Sequence, residues 1–236
     1  MIPFSRDDEL LIWVERSFGY VFAQAELCHA AVTHRSAGAD HNERLEFLGD
    51  SMLNCAVARL LYEAHPEADE GALSRQRATL VSGETLAQIA AELGLGPHLR
   101  LGPGELKTGG FRRASILADA LEAILGAIFL DSGFDAAAGV VARIMGPRLS
   151  DLPAADTLKD PKTRLQEALQ AHGLTLPVYT LIAAAGDPHL QSFTVSCEVP
   201  VLGLAAVGEG GSRRRAEQLA AAKLLELLPP QIRKPS

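Results

Sequence analysis

Apolar positions recur every three to four residues as far as residue 149 and then change period. Leu10, Leu11, Val14 and Phe18 share one helical face from about residue 7, with Gly19 as the stop. Ala25 to Ser36 reads as a second, short helix. Leu48, Met52, Leu53, Ala56, Val57, Leu60 and Leu61 supply the buried stripe of a long helix from Arg44 to about His65, which Pro66 ends. A polar turn then leads into a helix from about Ala72 to Val81, and residues 84–93 give another amphipathic helix. Residues 94–113 are rich in Gly and Pro and read as a loop. Residues 115–131 are apolar on every side except at Asp119 and Glu122, the pattern of a helix buried in a globular core. That stretch is too short and too acidic at its centre for a membrane span. A last helix runs from about Asp135 to Leu149, so residues 1–152 form an all-α domain.

The segment that follows has no strong period and contains Pro153, as a linker does, and is bounded here as 153–159. Beyond it, Asp160-Pro161 is a helix cap and first turn, with Leu165, Ala168, Leu169 and His172 as the stripe and Gly173 as the stop. Val178 to Ala184 reads as a strand. Phe193, Val195, Cys197 and Val199 alternate with polar neighbours, as in a strand with one buried face. A third strand from about Val201 to Val207 precedes Gly208-Glu-Gly-Gly211, and a final helix from Ser212 to Leu228 buries Ala216, Leu219, Ala220, Leu224 and Leu227. The chain is therefore multi-domain, the all-α part being followed by an α+β domain of order αβββα over 160–229.

Charge separates the same two parts. Through residue 152 there are 21 acidic and 13 basic residues, against 8 and 9 from 153 onward. The total of −7 argues against nucleic-acid binding by bulk charge and leaves only local basic clusters for it. Cys28, Cys55 and Cys197 are widely spaced with no CxxC pair, which reads as reduced thiols of a cytoplasmic protein. The N-terminus has neither a basic lead nor a long apolar core, so no export signal and no membrane partner are expected.

The acids carry the chemistry. Helical spacing puts Glu43, Glu46 and Asp50 on one face, where like charges repel unless a cation joins them. A solvated acidic surface is the alternative. Asp119 and Glu122 share a face of the apolar helix, and a buried carboxylate needs a cation, a hydrogen-bond partner or a proton. Salt bridges to Arg44 or Arg113 would also meet that need. Two carboxylate pairs on two helices make a hard, oxygen-rich site suited to Mg2+, with Mn2+ as a substitute. His29 and His34 lack a third ligand at suitable spacing and read as packed or capping histidines. In the second domain, Ser212-Arg213-Arg214-Arg215 places three cations at the positive end of a helix dipole, which suggests an anionic partner or a solvated charge run.

The run NERLEFLGDS at 42–51, DEGALSRQRATLV at 69–81 and SILADALEAILGAIFLD at 115–131 resemble the endonuclease domain of bacterial ribonuclease III. The GEGGSRRRAEQLAAAKLL run is similar to the phosphate-binding loop and helix of a double-stranded RNA-binding domain, with Glu217 where many members of that wider family carry Lys. The resemblance implies an endoribonuclease that hydrolyses double-stranded RNA with metal assistance, leaving 5′-phosphate and 3′-hydroxyl ends. Glu46, Asp50, Asp119 and Glu122 would hold the metal, a second ion about 3.5–4 Å away completing a two-metal arrangement. Asp50 and Glu122 would serve catalysis, and Glu43 would orient substrate or water. Thr163, Gln166, Glu167, His189, Ser212, Arg213 and Arg214 would face RNA, whose A-form shape such domains read. The family is homodimeric, which implies a dimer contact for Phe47. The Thr33-His34-Arg35-Ser36 run looks like a scaffold element. Glu70 is either a favourable charge near a helix N-terminus or a substrate-facing group. Structured precursors, ribosomal RNA among them, are the implied substrates. Two other functions fit parts of the chain. An RNA-binding regulator would need a broken carboxylate set, and a carboxylate-bridged di-iron protein would need Glu-x-x-His pairs, which neither acidic pair has.

Overall fold

The computed structural model describes residues 6–152, 159–186 and 191–233. The expected linker, apart from Lys159, and His189 lie outside them. The chain divides into two compact units, residues 1–155 and 156–236.

The described part of the first unit is helical: α1 (Arg6–Phe18), α2 (Ala25–Ala31), α3 (Glu43–Ala64), α4 (Glu70–Leu80), α5 (Gly83–Glu92), α6 (Pro103–Lys107) and α7 (Ala114–Ser150), with 3-10 turns at Gly96–His98 and Gly110–Arg112. Its core is centred on α7, where Leu121, Ile124, Leu125 and Ile128 are fully buried, together with Leu53 and Leu61 of α3 and Leu86 and Ile89 of α5. The crossing of α3 with α7 is made backbone to backbone. A Cβ on Gly49 would collide with the Glu122 carbonyl, and one on Gly126 with the Leu45 carbonyl. Only glycine permits that approach, and it lies within one turn of Glu46, Asp50 and Glu122.

Several boundaries differ from the periodicity. The second helix stops at Ala31 rather than Ser36, because the chain turns there into a parallel bridge between Thr33 and Arg100. The Arg100 N–H donates to the Val32 carbonyl at 2.8 Å and the His34 N–H to the Arg100 carbonyl at 2.9 Å. Such long-range pairing leaves no trace in local hydrophobic spacing. Helix α4 begins two residues early, at Glu70, because the Asp69 carboxylate accepts the Ala72 N–H at 2.6 Å and caps it. The Gly- and Pro-rich stretch is an ordered series of short helical turns around α6. The two apolar stretches expected at 115–131 and 135–149 run on as α7, broken only at Gly133, whose φ of 81° is non-helical.

The second unit follows the order αβββα: α8 (Pro161–Gln170), β1 (Val178–Ala185), β2 (Ser192–Val199), β3 (Leu204–Gly210) and α9 (Arg213–Leu227), with a short α10 (Pro230–Arg233) after them. The sheet is antiparallel in the order β1-β2-β3. Val195, Cys197 and Val199 of β2 and Ala206 of β3 are buried, as are Leu165 and Leu169 of α8 and Ala220 and Leu224 of α9. The third strand starts at Leu204 rather than Val201, because Pro200 opens a 3-10 turn that Gly203 ends at φ 63°. It also runs through Gly208, read from sequence as loop. There a Cβ would strike the α9 backbone at Ala216 and Ala220, so strand and helix touch directly. Leu227, expected in the core, is 53% exposed, and Ala221 and Leu225 are buried instead.

Candidate functional site

Helices α3 and α7 bring carboxylates from two distant stretches together. Glu46, Asp119 and Glu122 each offer an oxygen, and these lie within 4.8 Å of one another. None of the three forms an ion pair or hydrogen bond with another described side chain, so neither Arg44 nor Arg113 neutralises them. Arg113 pairs with Glu105 at 2.8 Å instead. Burial, with like charges added at Glu46 and Glu122, favours the protonated carboxyls of the cluster. Burial, with Asp50, Glu46 and Asp119 close by, pushes the Glu122 carboxyl up to about 8. Glu46 is raised by burial and by Asp119, Glu43 and Asp50, against the opposing pull of Arg35. Asp119 is raised by burial, with His34 and Arg35 opposing. Three convergent hard oxygen donors, none of them in an ion pair with a described residue, are a fitting seat for a divalent ion. The cluster contains carboxylates only.

The remaining acids stand around the trio. Asp50 is exposed, contributes field to Glu122 and Glu46, and accepts from the Asn54 amide at 2.8 Å. Glu43 receives the Arg35 guanidinium at 3.1 Å and has His41 at 3.8 Å. Glu70 is exposed at the first turn of α4, where it accepts the Ser74 hydroxyl at 2.8 Å. Phe47 projects from α3 on the side away from the core, 77% exposed.

A cavity of about 580 Å³ opens beside the trio, lined by Glu43, Glu46 and Asp119 on one side. His34, Arg35, Ser36, Asn42, Glu105, Arg113, Ser115 and Ile116 line the rest. The Thr33–Ser36 run is thus scaffold, through its bridge to Arg100, and also pocket wall. Ser36 is fixed through its hydroxyl, which accepts the Gly102 N–H at 2.9 Å. Sequence reasoning missed Arg35 and Ser115 as pocket residues. No helical spacing connects Arg35 to Glu43, and Ser115 carries no signal beyond lying four residues before Asp119.

A second candidate surface lies in the other unit. Ser212 caps α9, its hydroxyl accepting the Arg215 N–H at 3.2 Å. Arg213 and Arg214 are exposed at the start of that helix. Thr163, Gln166 and Glu167 are exposed on α8, Glu167 being paired with Lys159 at 2.7 Å. Asp160 ties the two helices, accepting the Lys162 N–H at 2.8 Å and the Gln218 amide.

Comparison with known proteins places each unit in a described family. Residues 24–148 match the ribonuclease-III-like family and residues 161–228 the double-stranded RNA binding motif. The chain is 56% identical to ribonuclease 3 of Thiobacillus denitrificans over 208 residues, 88% of this chain and 92% of that one. It is 54% identical to ribonuclease 3 of Vibrio cholerae over 210 residues, 89% and 93% of the two chains. Among solved structures, the nuclease domain of ribonuclease III from Campylobacter jejuni superimposes with a TM-score of 0.57 at 40% identity, covering 58% of this chain and 97% of that one. With an acidic helical unit and an RNA-binding unit matched in the same order along the chain, the protein belongs to the ribonuclease III family of endoribonucleases.

Proposed function

We propose that the chain cuts double-stranded RNA by metal-assisted phosphodiester hydrolysis, giving 5′-phosphate and 3′-hydroxyl ends. The observation that carries this reading is the trio Glu46, Asp119 and Glu122, unpaired and within 4.8 Å. In this proposal the trio, with Asp50 beside it, holds Mg2+, and Mn2+ substitutes, because the donors are all hard carboxylate oxygens. A bound divalent cation supplies Lewis acidity, lowering the pKa of water and neutralising charge that develops on the phosphoryl group. The protein's own side chains have separate tasks. Glu122 and Asp119 are half-buried on α7, which limits the water around the donor set. Glu43, held by Arg35, orients substrate or water at the cavity mouth, and Asp50 and Glu122 flank the reacting phosphate. Glu70 is assigned to the substrate side of α4.

Residues 1–152 are taken as the nuclease domain and 160–229 as the RNA-binding domain. Thr163, Gln166 and Glu167 on α8, with Ser212, Arg213 and Arg214 on α9, face the duplex and read its shape and phosphates. Two helices presenting separate contact sets suit successive features of an A-form groove. Structured precursors, including ribosomal RNA, are the proposed substrates, in the cytoplasm, where the free thiols Cys28, Cys55 and Cys197 fit a reducing milieu. Among the described residues no helix is long and apolar enough to cross a membrane. A homodimer is proposed because Phe47 is a large apolar side chain left 77% exposed, and the Campylobacter jejuni nuclease domain has a region involved in dimer formation. Phe47→Ala is expected to raise the monomer fraction in analytical ultracentrifugation at low micromolar concentration; an unchanged dimer argues against that contact.

The deciding experiment follows a labelled RNA duplex with and without Mg2+, comparing the intact chain with Glu122→Gln where both bind. Metal-dependent cutting by the intact chain, and binding without cutting by the variant, are expected. Binding without cutting by the intact chain across metals and salts overturns the hydrolytic reading.

A further inference from the structure

Helix α9 opens with three arginines and then, one turn in, places a carboxylate among them. Glu217 is 14% exposed and holds two cations at once: one oxygen accepts from Lys162 Nζ at 2.6 Å and the other from Arg213 Nε at 3.0 Å. Lys162 is steadied further by lying over the Tyr179 ring at 4.5 Å. Both cations pull the Glu217 carboxyl below its usual range, so it is ionised at neutral pH. Arg213 remains 60% exposed and Lys162 34% exposed. An RNA phosphate arriving at the start of α9 meets these same two donors. Each donor is already engaged by a carboxylate whose charge repels the newcomer.

We propose that Glu217 acts as an internal competitor for RNA phosphate, holding Lys162 and Arg213 in a closed three-ion cluster that a bound duplex must open. This inference rests on the reading of α9 as the RNA-facing helix. Its physical content is a lowered affinity and a smaller salt dependence than the count of basic residues implies, since a cation neutralised by a carboxylate displaces no counterion from the RNA. Arg214, which forms no ion pair with a described residue, then supplies the first phosphate contact, and Arg213 joins only by leaving Glu217. For an enzyme that must release its cut products, a contact that recloses on itself speeds dissociation without altering the acidic site.

The test measures binding of a fluorescent RNA duplex of about 20 base pairs, longer than the roughly 16 that such a domain spans, to the full chain in metal-free buffer across a salt series. Glu217→Gln is expected to tighten binding about three- to tenfold near 0.1 M salt and to steepen the log–log salt slope by about 0.9 for each further phosphate neutralised. Glu217→Met, which keeps length but carries no charge, tightens binding to the same extent, and Glu217→Asp, which keeps the charge, stays near the parent affinity. Thermal melting confirms that each variant is folded. Unchanged or weaker binding by folded Glu217→Gln and Glu217→Met overturns the competitor role. Arg214→Ala in parallel separates the two levels of the argument. If it weakens binding while the Glu217 variants do not tighten it, the competitor fails alone; if it has no effect, the RNA-facing assignment of α9 fails and the competitor with it.

Discussion

In the helical unit three carboxylates, Glu46, Asp119 and Glu122, crowd within 4.8 Å without an ion pair to any described basic side chain, whereas in the second unit Glu217 is closed between Lys162 and Arg213. Both are clusters of ionisable groups on helices, and their difference is one of completion. The first is electrostatically unfinished: burial, with its own charges added, pushes Glu122 toward its protonated form, and a bound cation would relieve it. The second is satisfied internally, and an outside anion must displace a partner already in place. An unfinished site favours an added ion, while a satisfied one favours a contact that is weak and readily reversed.

The largest effect expected from breaking this contrast is on the unfinished side. Glu46→Gln, Asp119→Asn or Glu122→Gln should each lower cleavage at saturating Mg2+ by about a thousandfold or more, equivalent to several kcal/mol of lost charge stabilisation. Duplex binding should stay within about twofold, and a parallel loss of binding would show that the two surfaces are not separable. Next comes Gly49→Ala, which places a methyl group against the Glu122 carbonyl. Overpacking there should cost about 1–3 kcal/mol of stability by thermal unfolding and, by shifting α3 against α7, reduce cleavage about ten- to a hundredfold. Native activity with a native melting temperature would mean that the crossing is not what registers the acids. On the satisfied side, Arg214→Ala should weaken duplex binding about three- to tenfold at low salt and flatten the salt slope by about one, leaving cleavage at saturating RNA unchanged.

The last expected effect is on stability against pH. Without metal, the folded state holds a proton on Glu122 up to about pH 8, whereas the unfolded chain releases it near its ordinary 4.5. Between those values the native state binds more protons than the unfolded one, so stability falls as pH rises and levels off above about 8. Denaturant melts of the metal-free chain should show that decline, Glu122→Gln should flatten it, and Mg2+ should oppose it by binding the ionised form. A stability that climbs through the same window would contradict the crowding of the trio.

The carboxylates were legible in the sequence because helix geometry converts spacing directly into a shared face: Glu46 and Asp50 are four apart, and Asp119 and Glu122 three apart. The αβββα order was legible for the same reason, from the switches between a period of two and a period of three and a half. Arg35 and Ser115 were not, because the cavity they line is made by a bridge at Thr33–Arg100 and a turn at Gly110–Arg112, neither of which has a period. Nor could spacing show that Lys162, 55 residues earlier, would meet Glu217. The start of β3 was misplaced because Val201 and Leu202 are as apolar as a strand, and only the pairing of Pro200 with Gly203 reveals the turn. Leu227 fits the helical stripe but lies at its edge: Leu224, Leu225 and Leu228 take the buried face of that turn and leave it 53% exposed.

The bond between Ser36 and Gly102 joins positions 66 residues apart, and this separation bears on the order of events during synthesis. Closing so long a loop is entropically costly until the intervening helices α3, α4 and α5 have condensed. A chain emerging from the ribosome has Glu46 and Asp50 long before it has Asp119 and Glu122, and the wall of the cavity assembles only in the same late interval. The nascent protein therefore carries half an acidic site with no pocket around it, and it is made beside abundant structured RNA without the means to cut it until α7 has emerged.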